Sequence, residues 1–118
     1  MQTALERCDT VKIIDTSQIA ETVERLCIAA NYILSADIRR AMEDAVAGEG
    51  ELGREVLHTL LENADLAWKD QVALCQDTGM AVVFVEIGQQ VVVEGGGLTR
   101  AINEGVRRGY ERGFLRKR

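Results

Sequence analysis

One short run, Leu74-Cys75-Gln76-Asp77-Thr78-Gly79-Met80, concentrates the reactive side chains of this sequence. Cys75 offers a soft thiolate, Gln76 both a donor and an acceptor, and Asp77 a carboxylate. Gly79 lets the backbone turn tightly or approach a ligand. By type and spacing alone the run reads as a metal-ligand loop, a nucleophile loop or an ordinary turn, and the three stay open at this level. The remaining candidates read as structural. Cys27 falls on the apolar face of a helix, where a free thiol is usually buried. Cys8 lies in an N-terminal stretch of ambiguous pattern. His58 sits beside an apolar stripe as a solvated or rim residue. Trp68 lies on the stripe itself and is expected in the core.

What positions the run are the elements around it. Val11, Ile13 and Ile14 suit a short strand or a patch packed under a helix, and Asp15, Thr16 and Ser17 then offer N-caps. Ile19, Val23, Leu26, Cys27, Ala30 and Ile33 recur at helical spacing. A second helix follows Ser35, with Ile38, Ala41, Met42, Ala45 and Val46 on one face and Gly48 and Gly50 at its end. A third runs over 51–69, with the stripe Leu57, Leu60, Leu61, Ala64, Ala67 and Trp68. Each has a single apolar face, so they must cover one another or a sheet. After Asp70 the period changes. The Val- and Phe-rich segment 81–87 predicts a buried strand, and Gly88-Gln89 predicts a turn into a second strand over 90–94, making a β-hairpin closed by Gly95-Gly96-Gly97. A fourth helix over 98–114 carries Gly105, Gly109 and Gly113 at every fourth position. Each glycine costs a helix about 1 kcal/mol relative to alanine, so the stripe predicts close approach of another backbone. The expected fold class is α+β: a helix-rich domain of about four amphipathic helices packed on a short β-hairpin or small sheet, in a single domain over 1–118.

The bulk properties narrow the class. A chain of 118 residues suits one compact domain, which would bury roughly two-thirds of the surface exposed on unfolding. No apolar run approaches the ~20 residues that span a bilayer, and the first residues show no basic-then-apolar leader. The odd count of 3 cysteines matches no secreted disulfide framework, so free thiols in a reducing, cytoplasmic setting are expected. A net charge of −5 argues against nucleic acid as the main partner. Even so, cations gather late, at Arg107, Arg108, Arg112, Arg116, Lys117 and Arg118. They read either as the cationic last turns of a helix or as an anion-binding patch.

The run from Cys75 to Gly79, continued by Met80-Ala81-Val82-Val83-Phe84-Val85-Glu86-Ile87-Gly88, resembles the signature of class I fumarases and of the α subunits of L-tartrate dehydratases. Thr22 to Leu26, Glu62-Asn63-Ala64, Ala101 to Val106, Gly109-Tyr110 and Leu115-Arg116-Lys117 resemble the flanking segments of the same family, in order. One departure is Ala73, where the family usually has proline; it relaxes the start of the loop and removes no ligand. The resemblance implies a 4Fe–4S cluster held by three cysteine thiolates, with its fourth iron open to substrate as a Lewis acid. It implies Cys75 as the first cluster ligand and Gln76 and Asp77 as substrate-binding residues. The activity implied is reversible dehydration of a 2-hydroxy dicarboxylate: malate to fumarate, with tartrate as the second candidate and an inactive assembly module as the alternative of another class. The other two cysteines, the arginine clamps for the carboxylates and the catalytic base lie further along the family's chain or in a partner subunit. The sequence thus reads as the N-terminal portion of the family's catalytic domain. Its expected partners are the missing C-terminal portion or a β subunit in an oligomer, with no nucleic acid or membrane.

Overall fold

The computed structural model describes residues 10–116, so Cys8, Lys117 and Arg118 lie outside the described residues. The elements run β1 (Lys12–Asp15), α1 (Thr16–Tyr32), α2 (Ala36–Val46), α3 (Glu51–Asp70), β2 (Val91–Glu94) and α4 (Leu98–Arg112). This is the helix-rich α+β fold with a small sheet that the periodicity predicts. Asp15 provides the first N-cap: its carboxylate accepts the Ser17 N–H at 2.7 Å, and the Asp15 N–H donates back to Gln18 Oε1 at 3.4 Å. No helix among the described residues is long and apolar enough to cross a membrane.

The sheet differs from the expected hairpin. β2 pairs in parallel with β1, from Lys12 opposite Val91 to Asp15 opposite Glu94. Parallel strands need a long crossover, and here α1, α2, α3 and the loop beyond them supply it. The segment 81–87 forms no strand and is exposed throughout: Phe84 is 94% accessible and Val82 72%. Strand propensity measures how well a side chain fits a half-buried pleated surface, and no described element gives this segment a partner edge or a cover.

Each strand leads into a helix, and α1 and α4 pack against each other to form the main interface. The glycine stripe makes that packing possible. A Cβ added at Gly105 would lie 2.6 Å from the Ala20 carbonyl oxygen, and one at Gly109 would lie 2.8 Å from Cys27 Cβ. The close backbone approach expected from the sequence is therefore present. Ala20, Val23 and Cys27 of α1 are buried, as are Ala101 of α4 and Leu115 just beyond it. The Tyr32 hydroxyl donates to the Gly113 carbonyl at 2.8 Å and ties the end of α1 to the end of α4.

α2 and α3 pack chiefly on each other, and α3 meets α1 only lightly. Only Ala64 and Ala67 of the α3 stripe are buried. Trp68, expected in the core, is 58% exposed, because no described element covers that side of α3. The compact globule expected from chain length is not reached either. The radius of gyration is 20.5 Å, against about 13.5 Å for a compact chain of this length. The accessible surface is 9540 Å², against roughly 6300 Å² for a compact protein of this mass.

Candidate functional site

The Cys75 loop starts from the C-terminus of α3. Gln71 takes the left-handed conformation there (φ 53°), and the Val72 N–H closes back on the Ala67 carbonyl at 3.0 Å. The chain then turns toward α1. At Leu74 both backbone groups are held by helices: the N–H donates to the Asn31 carbonyl at 2.8 Å, and the carbonyl accepts from Asn63 Nδ2 on α3 at 2.9 Å. The far end is held by α4. The Tyr110 hydroxyl lies 3.2 Å from the Thr78 carbonyl and 3.3 Å from that of Gly79, and the Thr78 hydroxyl donates to the Arg116 carbonyl at 3.2 Å. Gly79 sits at φ +62°, a conformation that glycine adopts without a Cβ penalty.

Between these two anchored ends Cys75, Gln76 and Asp77 are exposed. The Asp77 N–H donates to Cys75 Sγ at 3.4 Å, so the sulfur has an oriented donor from its own loop. Cys75, Gln76 and Thr78 line an open depression of about 530 Å³ together with Val72, Phe114 and Arg116. Asp77 shares the loop but does not line this depression. A second groove, of about 430 Å³, lies between α1 and residues 80–84; its lining carries no charged group, so it has less to offer chemically.

The other candidates separate cleanly. Cys27 is buried at the α1–α4 interface, 8% exposed, and burial pushes its thiol pKa up, as suits an inert packing residue. His58 is exposed on α3, as expected. Among the late cations, Arg107 pairs with Glu104 and Glu111, Arg108 with Glu104, and Arg112 with the buried Glu24. Hydrogen bonds from Arg107 and then Arg108 hold the Glu104 carboxyl down at about 2. These arginines are already compensated by carboxylates, which favours the solvated-face reading over an anion patch. Arg116 differs, because it lines the depression with Cys75 and Gln76.

The donor set fits a metal group in part. Cys75 is an accessible soft donor on an anchored loop, but the described residues hold no group of three or more His, Cys, Asp or Glu side chains that could bind a metal ion. A cluster that requires three thiolates could therefore not be completed by the described residues alone. Sequence reasoning did not foresee the anchoring by Asn63 and Tyr110 or the nearness of Arg116 to Cys75. For Tyr110 a signal existed: a hydroxyl on a helix's apolar stripe calls for a hydrogen-bond partner. For Asn63 and Arg116 only the tertiary arrangement reveals the contact.

Comparison with known proteins adds to this geometry. The model of the fumarate hydratase (fumerase) family matches residues 20–118. A curated relative from Methanocaldococcus jannaschii, provisionally named L(+)-tartrate dehydratase subunit alpha, is 35% identical over 101 residues. That alignment covers 84% of this chain and 35% of the relative, so the chain spans about a third of the length of the curated relative it matches. No solved structure matches the chain.

Proposed function

The chain belongs to the fumarate hydratase (fumerase) family, and from that premise we propose that it is part of an iron–sulfur hydro-lyase that reversibly dehydrates a 2-hydroxy dicarboxylate, with malate and fumarate as the pair. Cys75 contributes one thiolate to a 4Fe–4S cluster. When bound, the cluster supplies Lewis acidity toward the substrate hydroxyl. Gln76 and Asp77 bind the substrate: the amide can donate and accept, and the carboxylate accepts from a hydroxyl. Arg116 offers a guanidinium to a substrate carboxylate, the pairing in which bidentate hydrogen bonds are strongest. The observation that carries this reading is an accessible Cys75 and Gln76 on a loop held at both ends, lining one depression together with Arg116.

The two further thiolates and the catalytic base come from polypeptide beyond the residues that match here. That polypeptide is a C-terminal stretch, a β-type subunit such as the relative's name implies, or both. It packs on the uncovered apolar strip over 80–87. Tartrate is the second reading of the substrate, favoured by the name of the archaeal relative. The test is to express the chain with the complementary polypeptide, reconstitute iron and sulfide without oxygen, and assay malate and tartrate. Turnover of either, lost together with bound iron in Cys75→Ser, is the expected result. Iron and activity retained in Cys75→Ser would overturn the ligand assignment. A well-folded assembly that binds no iron would instead leave the chain an inactive assembly module.

A further inference from the structure

The loop that carries Cys75 is held by side chains that the proposed chemistry does not use. We propose that Asn63 and Tyr110 are positioning residues that fix the Cys75 loop before any metal arrives, and so set where the thiolate stands. The purpose of the device rests on the reading of Cys75 as a cluster ligand; its geometry does not.

Asn63 Nδ2 donates to the Leu74 carbonyl at 2.9 Å, while the Leu74 N–H donates to the Asn31 carbonyl at 2.8 Å. The residue just before Cys75 is thus bound to α3 and α1 at once. The Tyr110 hydroxyl, within 3.2 Å of the Thr78 carbonyl and 3.3 Å of the Gly79 carbonyl, restrains the other side from α4. Only Cys75, Gln76 and Asp77 lie between the anchored residues, which leaves little slack. Burial cannot hold this stretch, because all three are exposed. Ala73 does not restrict φ as proline would, so the hydrogen bonds at Leu74 carry the restraint. A loop already ordered loses less conformational entropy when a metal group binds, and binds it more tightly for the same contacts.

Two variants remove single donors and keep the shapes: Asn63→Asp and Tyr110→Phe. The first readout is amide hydrogen exchange of the chain at Leu74, whose N–H bonds to α1, and at Asp77, whose N–H bonds to Cys75 Sγ. Each variant is expected to speed exchange at these amides by roughly two- to tenfold, the effect of losing one hydrogen bond, with α1 and α4 amides little changed and the thermal midpoint lowered by only a few degrees. The second readout is the rate at which a ferrous chelator strips iron from the reconstituted assembly; it should rise several-fold in both variants. Unchanged exchange at Leu74 and Asp77 overturns the anchoring. Faster exchange with unchanged iron loss overturns the positioning role. Iron retained in Cys75→Ser overturns the ligand assignment instead, and the exchange data still decide whether the loop is anchored by these two residues.

Discussion

Cys75 and Cys27 are the same chemical group in opposite surroundings. Cys75 is exposed on a loop and its sulfur accepts an N–H; Cys27 lies under the glycine stripe of α4. Replacing each by serine should separate their roles. Cys75→Ser should leave the thermal midpoint in place and remove iron from the reconstituted assembly, because a serine hydroxyl is a poor donor to iron at neutral pH. Cys27→Ser should keep the iron and lower stability by about 1–3 kcal/mol through a buried hydroxyl without a good partner. Iron per chain, measured beside the melting midpoint of each variant, distinguishes them; the reverse pattern would mean that the ligand is Cys27.

At the scale of elements, α1 and α4 depend on glycine where they cross. Gly109→Leu should destabilise the chain by about 1–3 kcal/mol through overpacking, because even a Cβ there would stand 2.8 Å from Cys27 Cβ and 3.0 Å from the Glu24 carbonyl oxygen. Gly53→Ala in α3 is the control. The nearest atom a methyl would meet there is the mobile Glu49 carboxylate at 2.6 Å, and Glu49 Cβ at 3.0 Å need give by only a few tenths of an ångström, so the midpoint should shift far less than in Gly109→Leu. Equal melting shifts at the two positions would contradict this account of α4. The exposed face of α4 adds a pH dependence. The Arg107 and Arg108 hydrogen bonds depress the Glu104 pKa from 4.5 to about 2, so their stabilisation is present above about 4.5 and is lost as the pH falls through about 2. The midpoint difference between the parent chain and Glu104→Gln should therefore be small but visible at neutral pH, because the pair is exposed, and should close on acidification. A difference that widens below pH 4 would reverse the sign assigned here.

At the scale of the whole molecule, several large apolar side chains stand uncovered among the described residues. Met80 is 87% exposed and Phe84 94%, Trp68 and Leu52 are uncovered on α3, and no large side chain among the described residues is less than 2% exposed. The run over 80–87, where every residue is exposed, is the stretch on which the proposed complementary polypeptide would pack. The isolated chain should give no turnover of malate even after iron and sulfide are supplied, because one thiolate cannot hold a cluster that needs three. Turnover by the purified chain with no other protein present would refute this. Amides over 81–87 should exchange freely in the isolated chain and become protected on assembly; exchange that stays fast would move the interface elsewhere.

The elements with strong local signals were legible before any coordinates. The α1 stripe, a cap among Asp15, Thr16 and Ser17, the glycines of α4 and the bounds of α3 all follow from interactions within one turn or from sterics a glycine alone permits. The loop with Cys75, Gln76 and Asp77 was legible too, because its residue types are unusual together and resemble a known signature. Pairing and burial were not. Segment 81–87 has the composition of a strand, yet a strand exists only where another edge accepts its hydrogen bonds, and β2 found that edge in β1, some eighty residues earlier in the chain. Trp68 lies on an apolar stripe, yet a stripe becomes core only where a second layer covers it. The anchoring by Asn63 and Tyr110 and the nearness of Arg116 to Cys75 likewise join residues from separate elements. Helical periodicity is written locally and survives in the sequence; a contact between distant elements depends on where the rest of the chain goes, and only the tertiary structure decides that.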